Sequence, residues 1–347
     1  MLEKLSYLLV YSFFIQLIMR KIAKKIGLAD RPNERKLHQG TYPLVGGISI
    51  CIVLAQYLML GNHDIPQRNM FVACISILAI VGAFDDKFDV SFKIRLFVQL
   101  VVSIVMIRLA GIELQSIGDI LGVGTSIYLG PYLGPILTII AVIAAINAFN
   151  MIDGIDGLLG GLSIITFLSL AFLLSQGAHV ELSNLCLIIV TVMLPYTIMN
   201  LGTLGIRWKI FMGDAGSMLI GFTIIWLLLS ASQNVETASI KPVTALWLVS
   251  IPLMDLVTVV IRRIIRKESP FKADREHVHH ILQRLGFSSR QTLCIICIFA
   301  AILASIGILG EIYHIEAHIM FYAFIAVFIL YFSSLTQACK ISLASDC

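Results

Sequence analysis

Five aspartates stand where the surrounding sequence makes them expensive. Asp85 and Asp86 follow directly on the apolar run 75–84. Asp153 and Asp156 lie in Asn147-Ala148-Phe149-Asn150-Met151-Ile152-Asp153-Gly154-Ile155-Asp156-Gly157, where another apolar run ends. Asp214 sits in Phe211-Met212-Gly213-Asp214-Ala215-Gly216-Ser217, at the head of a third. A carboxylate at the centre of a membrane helix costs about 2.5–3.5 kcal/mol on insertion scales, and less near the interface. One such pair reads as a solvated helix end. Three clusters at three span ends, with glycines and asparagines beside two of them, argue instead for a shared site. Converging carboxylates repel one another and need a compensating cation. Oxygen ligands suit Mg²⁺ or Mn²⁺ rather than zinc, and Mg²⁺ takes one or two protein carboxylates and completes its shell with phosphates and water. The chemistry expected of these residues is therefore phosphate chemistry. Asp153 and Asp156, three apart at a helix end, are placed to face one cleft.

A basic segment supplies the complementary half. Arg275-Glu276-His277-Val278-His279-His280 clusters a guanidinium and imidazoles, groups suited to phosphate oxygens and polar ring edges. A zinc site is the competing reading, but no nearby cysteine completes one. Arg262, Arg263, Arg266 and Lys267 read as ordinary anchors after an apolar span. Other phosphate motifs are absent. Gly216 and Gly221 have P-loop spacing, yet Phe222 stands where the lysine belongs.

The elements that must position these groups are membrane helices. Of 347 residues, 58% are hydrophobic and 13% charged, against about 25% charged in soluble domains. The apolar runs predict eleven spans at 5–19, 44–60, 70–84, 94–110, 132–149, 159–175, 183–199, 215–231, 243–261, 292–309 and 319–336. The expected fold is an all-α polytopic membrane protein forming a single domain over 1–347. With these spans, Lys4, Arg68, Arg108 and Lys241 fall on one side of the membrane, and every other one of the 25 Lys and Arg falls on the other. The positive-inside rule then puts the N-terminus outside and the C-terminus in the cytoplasm. The acidic clusters come out on the cytoplasmic face.

Span 1 does not read as a cleavable signal: Arg20-Lys21-Ile22-Ala23-Lys24-Lys25 anchors its inner end and no small-residue cleavage site follows. Residues 112–117 and 125–129 flank Gly122-Val123-Gly124, which predicts a small periplasmic β-hairpin. The inner segment around Arg275–Arg284 predicts a short amphipathic helix. Cys294 and Cys297 have redox-motif spacing but lie inside an apolar span, where burial is the simpler reading. The net charge of +4 is modest, and no nucleic-acid partner is expected.

Taken in order, Pro43-Leu44-Val45-Gly46-Gly47, Asp85-Asp86, the 147–157 segment, Phe211–Ser217 and the His277–His280 cluster resemble the motifs of the polyprenyl-phosphate N-acetylhexosamine-1-phosphate transferases, across essentially the whole chain. The Arg-Glu-His-Val-His-His form resembles the bacterial branch that uses UDP-N-acetylglucosamine (UDP-GlcNAc). The resemblance implies an inner-membrane enzyme with Mg²⁺ or Mn²⁺ as cofactor, and it allows a homodimer. A phosphate oxygen of undecaprenyl phosphate would attack the β-phosphorus of UDP-GlcNAc, giving undecaprenyl-diphospho-GlcNAc and UMP. That is the first membrane step of enterobacterial common antigen and O-antigen synthesis.

Position by position, the resemblance implies Asp214 as first metal ligand and Asn150 as a neutral oxygen ligand. Asp85 or Asp86 would orient or deprotonate the lipid phosphate and also reach the metal. A phosphate monoester has its second pKa near 6, so a strong base is not obligatory. Asp153 and Asp156 would hold the uridine or sugar, or tune the metal shell, with Asn147 also on the substrate side. Arg275, His277, His279 and His280 would meet the nucleotide-sugar phosphates, and Lys36 and His38 the lipid phosphate. The near rival is the same chemistry on UDP-MurNAc-pentapeptide or another UDP-HexNAc. A transporter is the distant one, since transporter carboxylates lie near the midplane between repeats. Here they gather at one end, and the sequence has no repeat.

Overall fold

A computed structural model describes residues 1–30, 40–61, 65–177, 179–233, 238–269 and 276–344. Lys36, His38 and Arg275 lie outside the described residues. The chain is built from helices: α1 (Leu2–Ile26), α2 (Gly46–Leu60), α3 (Arg68–Phe88), α4 (Phe92–Arg108), α5 (Gly130–Ile152), α6 (Leu158–Ser175), α7 (Val180–Asn200), α8 (Asp214–Ser232), α9 (Pro242–Leu248), α10 (Ser250–Ile265), α11 (Val278–Arg284), α12 (Ser289–Ile312) and α13 (Ala317–Ala344). Each predicted span coincides with one of these helices, except that the ninth is divided between α9 and α10.

Among the described residues, α1, α5, α6, α7, α8, α12 and α13 are long and apolar enough to cross a membrane, and the bent pair α9–α10 makes an eighth. The chain is a multi-pass membrane protein. The helices α2 and α4 are short, at 15 and 17 residues, and α3 carries charge at both ends. The predicted helix in the histidine segment is present as α11, starting three residues later than Arg275.

The span predicted at 243–261 is not straight. The helices α9 and α10 meet at 84°. Pro252 lies in the first turn of α10, where its ring would collide with the carbonyl of Leu248 if one helix ran through. The arginines that follow correct a second expectation. Arg262 and Arg263 are buried, not solvated anchors. Arg262 Nη2 donates to the Glu276 carbonyl at 2.6 Å, and Arg266 pairs with the Glu276 carboxylate.

At the centre stands α8, nearly all of whose side chains are buried. Without a hydrophobic drive between lipid-soaked helices, close approach depends on small residues. A Cβ on Gly47 would stand 2.1 Å from Gly216 Cα, and one on Gly82 would stand 2.4 Å from Ala215 Cα, so α2 and α3 press directly on the first turn of α8. Outward-facing apolar residues such as Phe14, Ile80, Phe97, Ile140, Ile298 and Leu330 suit a lipid surround.

Two short strands, β1 (Ala29–Asp30) and β2 (Tyr42–Pro43), pair antiparallel with Asp30 opposite Tyr42. The predicted hairpin at 112–129 is present as a hairpin-like loop without regular strands: an antiparallel bridge joins Ser116 to Tyr128, and the Ile117, Ile127 and Leu129 N–H groups donate to the Ile127, Gly118 and Gln115 carbonyls. The Asp119 carboxylate turns its tip by accepting the N–H groups of Gly122, Val123 and Gly124. In the arm, Gln233 Oε1 takes the N–H groups of Gln115 and Ser116, which removes them from any ladder. Cys294 and Cys297 are free thiols, Cys294 on the outer surface of α12.

Candidate active site

The geometry begins at the start of α8. Asp214 is its first residue, and the N–H groups of a first turn have no partner within the helix. They are met from another helix. Asp86, in the last turn of α3, accepts the Asp214 N–H at 2.8 Å with Oδ1 and the Ala215 N–H at 3.4 Å with Oδ2. A carboxylate at a helix N-terminus also complements the helix dipole. Gly213 makes the approach possible: its φ is 74°, and a Cβ there would lie 2.3 Å from Asp86 Oδ2. Asp86 thus holds the element that presents Asp214.

Beside it, Asp85 is buried and takes a bond from Arg95 Nη1 at 2.7 Å. The same Nη1 lies 3.6 Å from Asp214 Oδ2, so one guanidinium on α4 bridges two of the predicted carboxylates. Asn150, near the end of α5, donates Nδ2 to Asp214 Oδ1 at 2.5 Å and to Ser217 Oγ at 2.8 Å. In this arrangement it orients Asp214. Asn147, one turn back, donates to Gln99 Oε1 at 2.8 Å and does not line the cavity described below.

The far wall is sewn together by backbone. Phe211 N–H donates to the Pro43 carbonyl at 2.9 Å, and the Phe211 carbonyl accepts from Val45 and Gly46. The sequence around Pro43–Gly47 is thereby locked to the strip preceding α8. Asn200 ties in the acidic loop: its Oδ1 accepts the Gly157 N–H at 2.6 Å, and its Nδ2 donates to the Ile210 carbonyl at 2.9 Å. Lys209 Nζ sits 2.6 Å from Asp156 Oδ2 and over the rings of Tyr42 and Phe211, at 4.8 and 5.2 Å from their centroids.

These pieces surround a cavity of about 720 Å³. Asp86, Asn150, Asp153, Asp156 and Asp214 line one bank, and His280, Gln283 and Arg284 of α11 line the other. His279 is buried beside it, its Nε2 only 2.0 Å from where a Cβ on Gly154 would stand. Neither of its ring nitrogens has a hydrogen-bond partner. His277 turns away from the cavity, and its Nδ1 lies 2.7 Å from Oδ2 of the buried Asp255. It is therefore not among the groups that face a ligand here.

Crowding of like charge is visible in Asp153, whose pKa rises to about 7 through burial first, then the nearby carboxylates of Asp214 and Asp156. Burial, followed by the neighbouring His280 and His277, pushes His279 well below the ordinary imidazole value, so it is neutral.

The chain matches the family described as glycosyl transferase family 4 over residues 69–232. It is 46% identical over 343 residues to the undecaprenyl-phosphate alpha-N-acetylglucosaminyl 1-phosphate transferase of Yersinia pestis, covering 99% of this chain and 93% of that protein. The protein of that name from Salmonella typhi is 47% identical over 341 residues, covering 98% and 92%. The one from Escherichia coli (strain K12) is 46% identical over 324 residues, covering 93% and 88%. The chain belongs to glycosyl transferase family 4. It is a transferase, and the resemblance carried by its five motifs is borne out.

Within this family member, Arg95, Lys209, Asn200, Gln283, Arg284 and Asp255 are the residues sequence reasoning missed. Arg95 and Lys209 counted there only as charges that set orientation. Asp255 had a usable signal, because it is a carboxylate inside the run 243–261 and carries the same burial cost as the other five. Nothing local to Gln283 or Arg284 announces a ligand; their role depends on where α11 docks.

Proposed function

We propose that this chain transfers GlcNAc-1-phosphate from UDP-GlcNAc to undecaprenyl phosphate, releasing UMP, at the cytoplasmic face of the bacterial inner membrane. The observation that carries the reading is the gathering of Asp86, Asn150, Asp153, Asp156, Asp214 and His280 around one cavity at one end of the helices. Relatives bearing the name of that activity match nearly the full chain.

The two substrates have separate approaches. Asp85 and Arg95 lie at the junction of α3 and α4, where Phe84, Phe88, Phe92 and Phe97 are exposed toward the membrane. A lipid phosphate arriving sideways from the inner leaflet meets Arg95 first. The nucleotide sugar occupies the cavity between the Asp156–Lys209 pair and α11. A lipid phosphate oxygen then forms a bond to the β-phosphorus as the bond from that phosphorus to the bridging oxygen breaks, and UMP leaves. Little covalent work falls to the protein; alignment and charge neutralisation dominate phosphoryl transfer. Arg95 and Lys209, paired with Asp85 and Asp156, offset the carboxylates' charge toward incoming phosphates, and Asn150 and Asp86 fix the direction of Asp214.

The donor set fits Mg²⁺ or Mn²⁺. Among the described residues no three His, Cys, Asp or Glu side chains form a closed metal cage. Asp214 is partly exposed and lines the cavity, and Asn150, which gives its Nδ2 to Asp214 here, would offer its amide oxygen only after turning over; Mg²⁺ completes such an open carboxylate site with phosphates and water. Asp214 would hold the cation, with Asp86 and Asp85 nearby. When bound it neutralises the diphosphate and the crowded carboxylates. Stripping divalent cations with EDTA is expected to abolish UMP release, with Mg²⁺ or Mn²⁺ restoring it. Undiminished turnover in EDTA would remove the cation from the proposal.

The deciding experiment is UMP release by purified full-length protein with undecaprenyl phosphate, Mg²⁺ and a panel of sugar nucleotides. Turnover with UDP-GlcNAc is expected. Turnover confined to UDP-MurNAc-pentapeptide would overturn the choice of donor. In the same assay Lys209→Met is expected to cost about ten-fold in kcat/KM, the size of one lost hydrogen bond to a charged group. Lys209→Arg should recover most of it, and equal values for Met and wild type would show that the pair with Asp156 is idle. Eleven spans with a periplasmic N-terminus complete the proposed topology. The product is the first lipid-linked intermediate of enterobacterial common antigen or O-antigen.

A further inference from the structure

We infer that Asp255 and His277 form a buried anchor that sets the position of α11, and so the fit of the nucleotide-sugar bank of the cavity. The inference rests on the reading of that cavity as the donor site. Asp255 is 1% exposed and His277 6%. His277 Nδ1–H donates to Asp255 Oδ2 at 2.7 Å, Val278 N–H donates to Oδ1 at 2.9 Å, and Tyr331 O–H donates to Oδ1 at 3.2 Å. Both carboxylate oxygens are thus committed, and none of their partners faces the cavity. Asp255 comes from α10 and Tyr331 from α13, so the carboxylate joins α11 to two membrane helices.

An isolated helix of seven residues has no stability of its own, since nucleation alone outweighs its few internal bonds. Something outside α11 must hold it. On its inner side Val278 and Ile281 are buried. On the other side His280, Gln283 and Arg284, spaced i, i+3, i+4, line the cavity. A shift at the N-terminus therefore moves all three cavity residues together. The arrangement parallels the opposite bank: Asp86 of α3 holds the first turn of α8, and Asp255 of α10 holds the first turn of α11. Each bank is aimed by a carboxylate borrowed from another helix. Leaving a buried carboxylate without its donor is the costly outcome, because the desolvated charge stays behind.

Asp255 and His277 are positioning residues in this account, and their loss should fall on one substrate. His277→Ala is expected to raise KM for UDP-GlcNAc about ten-fold, the size of one hydrogen bond to a charged group, and to lower the melting temperature by a few degrees, with KM for undecaprenyl phosphate unchanged. His277→Asn places an amide N–H near the Nδ1 position and should restore most of the loss. Adding Asp255→Ala to His277→Ala should raise KM for UDP-GlcNAc further, because the bonds from the Val278 N–H and the Tyr331 O–H go with the carboxylate. Hydrogen–deuterium exchange of the 276–289 segment supplies a readout that needs no turnover: it should rise in His277→Ala and return in His277→Asn. Failure of Asn to rescue, parallel rises in both KM values, or unchanged exchange would each overturn the anchor. Absence of wild-type turnover with UDP-GlcNAc would instead sink the donor assignment, and the exchange measurement would still decide the anchor.

Discussion

Replacing Asp214 with Asn is expected to leave a folded protein that releases UMP about a thousand-fold more slowly, within the range for removing one preorganised charge from an active site. The change is nearly isosteric. The Asp214 N–H that donates to Asp86 belongs to the backbone and survives it, so the first turn of α8 keeps its cap. What disappears is the anion that Asn150 orients, that Arg95 faces at 3.6 Å, and that is proposed to hold the cation. The loss should appear in kcat at saturating UDP-GlcNAc and undecaprenyl phosphate, with the melting temperature within a few degrees of wild type. Removing a negative charge from the neighbourhood of Asp153 also relieves one cause of its raised pKa, so stability should not suffer. A fully active Asn variant would take Asp214 out of the chemistry altogether.

Gly213→Ala is expected to cost about a hundred-fold in turnover although it deletes no functional group, because misplacement of a catalytic group by about 1 Å is worth that much. At φ 74°, ψ 168° the backbone lies in a region essentially reserved for glycine, where an L-residue is strained by about 1–3 kcal/mol, and the new methyl would sit 2.3 Å from Asp86 Oδ2. One of the two must retreat. If Asp86 does, α8 loses the acceptor for its first two N–H groups, which is worth about 0.5–2 kcal/mol for a helix cap. If the backbone does, Asp214 moves. Either way the carboxylate misses its place while the rest of α8, gripped by α2 and α3 through Gly47 and Gly82, stays put. UMP release and a melting curve on the same preparation measure the two effects. Activity within three-fold of wild type would mean that the tight contact between Gly213 and Asp86 has no functional weight.

Both predictions concern residues whose importance was legible in different degrees. Asp85, Asp86, Asp153, Asp156 and Asp214 stood out because a carboxylate beside an apolar run is costly wherever the chain folds, and that cost is a property of composition and spacing. The helical class and the placing of apolar stretches were legible for the same reason. His280 kept its predicted place on the cavity, and His279 lies against Gly154 beside it. His277 did not: it shares the motif, but the direction of its ring is set by Asp255, 22 residues earlier, and no local pattern encodes that pairing. Asn147 differs from Asn150 by three residues, yet docks on Gln99 of α4 rather than on Asp214.

By itself, then, the sequence determined that this is a membrane protein with its acidic groups collected at helix ends, because burial of charge and transfer of apolar surface are additive, residue-by-residue costs. Only the tertiary structure decided which groups face the cavity and which hold the walls. Asp86 and Asp255 are chemically the same as Asp214, but each spends its oxygens on the N–H groups of a helix remote in sequence. The break at Pro252, the burial of Arg262 and Arg263, and the bridging of Asp85 and Asp214 by Arg95 are likewise outcomes of packing. Hydrogen bonds act over about 3 Å, so the role of a polar side chain is set by whatever the fold brings within that distance.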